Sequence, residues 1–454
     1  MDFALTDQQQ LIRDEALKLC ARFDDGYWLE RDRTATFPEA FFAAMAEANW
    51  LGIAMPEQYG GAGLGITEAA ILMQAVAESG ACMSGASAIH LNIFGLNPVV
   101  VFGTVAQKRR MLPPVIAGSD KACFGVTEPN AGLNTTQITT RAERRGDRYV
   151  INGAKIWTST AQIASKILLL ARTTPLDRVK RHSHGLTLFY TTLDRAHAEV
   201  RLIHKMGRHA IDSNMVFFTD MEVPEEDRIG EEGEGFRTLL HGLNPERVLV
   251  AAEAIGIGRA ALARASRYAR ERVVFGRPIG QNQGIQHPLA KCWAELEASN
   301  LMVMKAAWLY DQGQPCGAEA TGLGRVAIRK ASKYAQERVV FGRPIGMNQG
   351  IQHPLAKAWM QVEAASLMVF KAATLFDKGE DCGVEANSAK YLAAEAGYEA
   401  CQTAVMSMGG MGYAQEYHVE RYLREVLIPR IAPVSPHQIM NFIAERVLEL
   451  PKSY

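Results

Sequence analysis

Hydrophobic residues recur at two different spacings along the chain, and the spacing changes twice. Up to about residue 118, apolar residues fall three and four positions apart, which is the period of an amphipathic α-helix. Thr6, followed three residues later by Gln9, is typical of a helix start with a reciprocal capping box. We therefore predict an α-helical N-terminal domain over residues 1–120.

The pattern then becomes one of short β-branched and aromatic runs, which indicates a β domain over residues 121–230. Strands are predicted near 167–171, 185–190 and 214–220. The segment RYVINGAKIW predicts a hairpin, because Asn152-Gly153 would accommodate the positive φ values of a two-residue turn. These strands are expected to form a small barrel or sandwich.

The helical period returns in residues 231–454 and predicts a C-terminal α-helical bundle. Helices are expected at about 236–272, 284–312, 350–378, 385–408 and 436–449. The order along the chain is therefore α, β, α, and the fold class is α+β multidomain.

The third domain contains a tandem repeat. Residues 256–320 align with residues 322–386, and 44 of the 65 aligned positions are identical. There are two copies and the flanks do not repeat, so duplication of one helical hairpin explains the pattern better than a solenoid does. A hairpin selected for a new role is the alternative.

Composition argues against several other classes of protein. Lys+Arg and Asp+Glu both total 49, and this balance disfavours binding to nucleic acid or to an anionic membrane. No leader peptide or membrane span of roughly 20 apolar residues is expected. The 7 cysteines lack C-x-x-C spacing and the histidines lack metal-ligand spacing. Reduced thiols and a cytoplasmic protein without a metal site are therefore predicted.

Four segments resemble motifs of the acyl-CoA dehydrogenase family and follow the family's order. They are FGVTEPNAG at 124–132, GAKIWTS at 153–159, ERVVFGRPIGQNQ at 271–283 and GGMGYAQEYHVERYLRE at 409–425. The resemblance covers essentially the whole chain if one repeat copy is set aside. It implies FAD-dependent oxidation of a saturated acyl-CoA to the trans-2-enoyl-CoA, with FAD as the hydride acceptor.

The first two segments match residues that surround the flavin ring in the family. Phe124, Val126 and Thr127 match a strand end that lies against the flavin ring. Trp157 and Ser159 match residues that cover one face of the ring and hydrogen-bond its N5 atom. Without the resemblance, an ordinary strand end and a core aromatic would explain these residues. Leu133-Asn134 departs from the usual Ser-Asp, which removes the contacts of that serine hydroxyl.

The last two segments match the part of the family that holds the rest of FAD, across a subunit boundary. The clamp on the pyrophosphate and adenine corresponds to Arg272, Phe275 and Gln283, and the approaching backbone to Gly410 and Gly412. The second repeat copy carries the same clamp as Arg338, Phe341 and Gln349. One FAD cannot use both copies. We favour the first, because its helix continues the segment that begins at Leu239, although the second connects directly to the next helix at Glu385.

The resemblance also indicates the catalytic base. Many family members carry it on a late loop, where this chain has Ile431-Ala432-Pro433 and no carboxylate. A subgroup that includes isovaleryl-CoA and long-chain acyl-CoA dehydrogenases carries a helix-borne Glu instead, and GLNPERV (242–248) matches that arrangement with Glu246 as the base. Without the family context, Glu246 would be read as an exposed carboxylate paired with Arg247.

Two further residues match positions that contact the substrate. Arg247 matches a contact to the CoA nucleotide, and the N–H of Ala432 matches a donor to the thioester carbonyl. The resemblance also implies an electron-transferring flavoprotein as electron acceptor and a homotetramer or homodimer. The acyl chain stays unspecified.

Two alternatives remain open. One is an acyl-CoA oxidase or flavin monooxygenase of the same fold, although Glu246 argues against the monooxygenase. The other is an inactive assembly protein whose extra hairpin disrupts the FAD site.

Overall fold

The computed structural model forms two compact units, Leu5–Leu249 and a second that contains Val250–Tyr454. The residues that it describes are 5–132, 134–281, 303–304, 306–313, 339–340, 343–344, 413–417, 419–432 and 434–435, together with 285, 289, 296, 300 and 438.

The first part of the Leu5–Leu249 unit is helical, as the apolar spacing predicts. Its helices are α1 Asp7–Cys20, α2 Asp25–Thr34, α3 Glu39–Glu47, α4 Ile66–Val76, α5 Cys82–Phe94, α6 Asn97–Phe102 and α7 Val105–Ile116. The predicted capping box is confirmed. The Thr6 hydroxyl accepts a hydrogen bond from the Gln9 N–H, and the Gln9 side chain accepts one from the Thr6 N–H, each at 3.2 Å.

One apolar stretch in this helical part, Ile66–Phe102, is long and apolar enough to cross a membrane by length and composition, contrary to the expectation from the sequence. Its backbone is broken within the stretch, since Gly80 and Cys82 both adopt positive φ values. Most of its side chains are buried in the unit. A buried core helix passes the same test, so this stretch gives only weak evidence for a membrane span.

Residues 122–229 supply an eight-stranded sheet. Its strands are β1 Ala122–Gly125, β2 Arg141–Arg145, β3 Arg148–Ser159, β4 Lys166–Arg172, β5 Leu186–Thr192, β6 Ala198–Leu202, β7 Ser213–Pro224 and β8 Arg228–Ile229. They are ordered β6-β7-β3-β2-β4-β5-β8, and β1 pairs in parallel with β4. The strands predicted near 167–171, 185–190 and 214–220 are confirmed as β4, β5 and β7.

The hairpin predicted at Asn152-Gly153 is wrong, because both residues lie inside the continuous strand β3. The pairing of β3 with β7 shifts register between Ile151 and Gly153. A side chain at Gly153 would approach the Thr140 Cα to 2.6 Å. Glycine at this position therefore allows a β-bulge in the strand and the close approach of the backbone at Thr140. The turn between β2 and β3 lies instead at Gly146, whose φ is 65°.

Strand β4 links the sheet to the helices through its two faces. Ile167 and Leu169 belong to a core cluster within the sheet. Leu168 and Leu170 belong to a second cluster, which also contains residues of α6 and α7. Side chains alternate across a strand, so burial of both faces requires the near-continuous apolar run that this strand has.

A long helix, α8 Gly235–Glu271, begins in the first unit and confirms the helix predicted at 236–272. The two-stranded hairpin that follows it consists of β9 Val273–Val274 and β10 Arg277–Pro278. Val339–Val340 and Arg343–Pro344 pair in the same register, at the corresponding positions of the second repeat copy. A helix is also present at Val419–Ile431. Most of the other helices predicted in the third domain lie outside the described residues.

Candidate active site

Two of the segments that resemble flavin-binding motifs meet at the end of β1. The Phe124 ring packs edge-on against Phe94, with 6.0 Å between the ring centroids, and Val126 is buried. The Ile156 N–H donates to the Thr127 carbonyl at 2.9 Å. The Thr127 hydroxyl makes no hydrogen bond to any residue that the structure describes, so it is available to a bound ligand.

A buried ion pair holds the same two segments together. Lys155 is fully buried, and its Nζ lies 2.9 Å from the Glu128 Oε1 and donates to the Val126 carbonyl at 3.0 Å. Glu128 also accepts hydrogen bonds from the backbone N–H groups of Thr139 and Thr140, at 2.7 and 2.8 Å. These bonds fix the chain just after the strand end, so we assign Lys155 and Glu128 to positioning the site.

Neither member of this pair was predicted as a site residue from the sequence, although both lie inside the quoted motifs. The available signal was Lys155 itself, a charged side chain in a strand whose neighbours are mostly apolar. Burial lowers the pKa of Lys155 to about 8, against the opposing effect of the Glu128 carboxylate. Burial raises the pKa of Glu128, but the Lys155 ammonium and the Thr140 and Thr139 hydrogen bonds outweigh it and lower that pKa below 4.5.

The lowered pKa of Glu128 predicts a dependence of stability on acid pH. A carboxyl group whose pKa is lower in the folded than in the unfolded state contributes stability above its ordinary pKa, and this contribution is lost as the pH falls through the folded value. Thermal unfolding between pH 6 and pH 3 should therefore show the Tm gap between wild type and Glu128→Gln shrinking below about pH 4.5. A gap that is constant over this range would contradict the assignment of Glu128 as an ionised partner.

Trp157 lies at an irregularity of β3 and is held away from the core. Its φ is 61°, and the register with β7 shifts between Lys155 and Thr158. Its side chain is 57% exposed. A bulky residue at positive φ is a local strain that commonly marks a functional position. The exposed indole is a flat aromatic surface of the kind that the resemblance implies against one face of a flavin.

The Ser159 hydroxyl accepts a hydrogen bond and can still donate one. It accepts a bond from the Arg208 guanidinium at 2.9 Å, and Arg208 also donates to the hydroxyls of Ser87 and Ser213, at 3.1 and 3.3 Å. A serine hydroxyl has one proton to donate. Ser159 is therefore set up to donate to an acceptor such as the unprotonated N5 of an oxidised flavin.

Glu246 lies on α8. The helix residues Leu239 and Leu243, the latter one turn before Glu246, pack in the same hydrophobic cluster as Phe124 and Val126. Glu246 is half-buried, and the neighbouring Arg247 donates to the Asn244 side chain at 2.8 Å. The stretch of α8 that carries the predicted base thus packs on the same apolar cluster as the predicted flavin-facing strand end.

Two predicted residues of the second unit are presented by the hairpin after α8. Arg272 is exposed, and Phe275 is fully exposed at the first position of the two-residue turn. Phe275 and Gly276 both have positive φ, at 51° and 77°, as a type I′ turn requires. Phenylalanine is an unfavourable residue at such a position, and its conformation directs the ring into solvent.

Ala432, also in the second unit, differs from the expectation in one respect. Its N–H donates to the Ile428 carbonyl at 2.8 Å, at the end of the helix Val419–Ile431. Contact with a thioester carbonyl would require this bond to be exchanged. Several other predicted site residues lie outside the described residues: Gln283, Gly410, Gly412, Arg338, Phe341 and Gln349. The same is true of Leu133, where the sequence departs from the family motif. No metal-binding cluster occurs among the residues that are described.

Sequence profiles of known families match successive parts of the chain. The profile described as acyl-CoA dehydrogenase, N-terminal domain, matches residues 6–119, and that of the middle domain matches residues 123–221. The profile of the C-terminal domain matches twice, over 233–323 and over 316–448.

Individual relatives agree with these matches. Acyl-CoA dehydrogenase FadE12 of Mycobacterium tuberculosis is 32% identical over 456 residues, covering 100% of this chain and 99% of the relative. Benzylmalonyl-CoA dehydrogenase of Aromatoleum aromaticum is 35% identical over 363 residues, covering 78% and 93%. The structure of butyryl-CoA dehydrogenase from Megasphaera elsdenii superposes with a TM-score of 0.72 at 27% identity, covering 99% and 100%.

The predicted fold class and the predicted family are thereby confirmed. The chain belongs to the acyl-CoA dehydrogenase family of FAD-dependent oxidoreductases and has the family's three-domain fold.

Proposed function

We propose that this chain oxidises a saturated acyl-CoA to the trans-2-enoyl-CoA, with Glu246 as the base that takes the α-proton. FAD, when bound, accepts the β-hydrogen as hydride. The observation that carries the proposal is the position of Glu246 on α8, one turn after Leu243, which packs in the same cluster as Phe124 and Val126.

The surroundings of Glu246 suit proton abstraction. The Oε2 atom of Glu246 is buried, and Leu239 and Leu243 on the same stretch of α8 pack at the apolar cluster beside Phe124. A carboxylate that is less well solvated than in water accepts a proton more readily, and general-base catalysis is most effective when the base is matched to the operating pH. The late loop has no carboxylate at 431–433 to compete for this role.

Three side chains would position the flavin in this proposal. The exposed indole of Trp157 would cover one face of the ring. The Thr127 hydroxyl would bond the pyrimidine edge. The Ser159 hydroxyl, which already accepts from Arg208, would donate to N5 of the oxidised ring and so help to orient it toward the substrate.

The first repeat copy would supply the clamp on the FAD pyrophosphate and adenine. It follows the same helix, α8, that also carries Glu246, and its hairpin presents Phe275 fully exposed. Gln283 and Gly410 would complete the clamp, and Arg247 and Ala432 would contact the substrate.

The two repeat copies provide a matched pair of variants. Arg272→Ala should raise the Kd for FAD about 10- to 100-fold, the effect of losing charge-assisted hydrogen bonds to phosphate. Arg338→Ala removes the equivalent side chain of the second copy and should change that Kd less than about threefold. The Kd is measured by flavin fluorescence on re-adding FAD to the deflavinated protein. The opposite ranking would assign the clamp to the second copy.

The test of the proposed reaction is an anaerobic titration followed by absorbance. The purified protein should show flavin bands that bleach on addition of a saturated acyl-CoA, and the chain that bleaches best defines the substrate. Flavin that never bleaches would contradict acyl-CoA oxidation. Protein without flavin would support the inactive assembly protein. Rapid reoxidation by oxygen would support an oxidase over a dehydrogenase.

Other features follow from the same proposal. Electrons would pass to an electron-transferring flavoprotein, and the protein would be a homotetramer or homodimer in the cytoplasm. The enlarged C-terminal bundle would arise from duplication of one helical hairpin.

A further inference from the structure

A proline lies deep inside α8, immediately before Glu246. Pro245 has no N–H, so it cannot donate to the carbonyl four residues earlier, which belongs to His241. The proline ring also crowds that carbonyl and tilts it away from the helix axis. The turn that carries the proposed base is therefore not held by the usual helical hydrogen bond.

A side chain from another helix supplies the missing donor. The Asn97 amide donates to the His241 carbonyl oxygen at 2.8 Å. Asn97 is the first residue of α6, and the helices are in close contact here, since a Cβ on Gly242 would lie 3.3 Å from the Pro98 ring. The His241 ring also packs edge-on against Phe102, with 4.8 Å between centroids.

We propose that Asn97 is a positioning residue for Glu246. By replacing the hydrogen bond that Pro245 removes, the Asn97 amide fixes the bend of α8 and hence the direction in which the next residue projects. The inference rests on the proposed role of Glu246 as the base. Reaction rates respond steeply to displacement of a catalytic group, whereas binding of a long acyl-CoA depends on many contacts. Loss of the Asn97 amide should therefore act on kcat more than on KM.

Because the donor replaces a specific backbone bond, a double-mutant cycle can isolate it. Asn97→Ala should lower kcat about 10- to 100-fold with KM within about twofold. Pro245→Ala restores a backbone N–H that can bond the His241 carbonyl. In that background, Asn97→Ala should change kcat less than about twofold. Asn152→Ala, which removes a side-chain hydrogen bond to the Asp220 backbone in the sheet, is the matched control and should leave kcat unchanged.

A second variant covers the case in which Asn97→Ala folds poorly. Asn97→Asp has nearly the same shape but no N–H to donate, and it should reproduce the loss of kcat in the native background. An equal loss of kcat in both backgrounds, or no loss in either, would overturn the proposal.

Failure of the proposed base is distinguishable from failure of this inference. Coupling between Asn97 and Pro245 in thermal unfolding reports the hydrogen bond itself. Non-additive effects of the Asn97 and Pro245 substitutions on Tm, together with undiminished turnover by Glu246→Gln, would mean that the hydrogen bond exists but that Glu246 is not the base. Absence of coupling in both Tm and kcat would reject Asn97 whatever the role of Glu246.

Discussion

Replacement of Glu246 by glutamine is expected to leave FAD and acyl-CoA binding intact and to slow flavin reduction about 10²- to 10⁴-fold, the range for loss of a general base. Glutamine keeps the size and polarity of the side chain but does not take up a proton near neutral pH. The α-proton then has no acceptor at this position. The rate is measured by anaerobic stopped-flow absorbance after mixing with a saturated acyl-CoA.

The matched control is Glu231→Gln, the same chemical change at an exposed carboxylate just before α8. It should reduce at the wild-type rate. Spectral perturbation of the bound flavin by acyl-CoA should be retained in Glu246→Gln, which separates a lost base from a lost binding site. Near-normal reduction in this variant would rule out Glu246 and direct attention to other carboxylates.

Much of the fold follows from local pattern in the sequence. The capping box at Thr6, the strands β4, β5 and β7, and the helix α8 all match their predictions, because each depends on residues close in sequence. The prediction at Asn152-Gly153 failed for the opposite reason. The need for glycine at position 153 comes from Thr140 on a neighbouring segment, which a local turn rule does not include.

The candidate site was only partly predictable. The motifs indicated which residue types face the cofactor. They did not indicate the backbone strain at Trp157 and Phe275, which are the aromatic residues with positive φ among those described. This strain depends on the bulge opposite β7 and on the tight turn between β9 and β10. The hydrogen bond from Asn97 to His241 joins residues 144 positions apart in sequence, so it cannot be predicted from the local spacing of apolar residues.

The buried pair of Lys155 and Glu128 gives the second large expected effect. Lys155→Met should lower the free energy of unfolding by about 3–5 kcal/mol, because the Glu128 carboxylate is left buried without its counter-charge. Loss of the pair should also release the strand end at Val126, so bound flavin should fall in parallel. Denaturant unfolding and the ratio of flavin to protein absorbance measure the two effects.

A second substitution separates the charge from the hydrogen bonds. In Lys155→Met/Glu128→Gln, the uncompensated charge is gone. Thr139 and Thr140 donate to different carboxylate oxygens, so the amide oxygen keeps one of these two backbone hydrogen bonds. The double variant should therefore be more stable than Lys155→Met alone. Arg148→Met, on the same strand, breaks an exposed ion pair with Glu222 and should cost far less. Equal destabilisation by Lys155→Met and Arg148→Met would show that burial does not decide the effect. If Lys155→Met unfolds more easily yet retains full flavin, the pair stabilises the sheet without positioning the site.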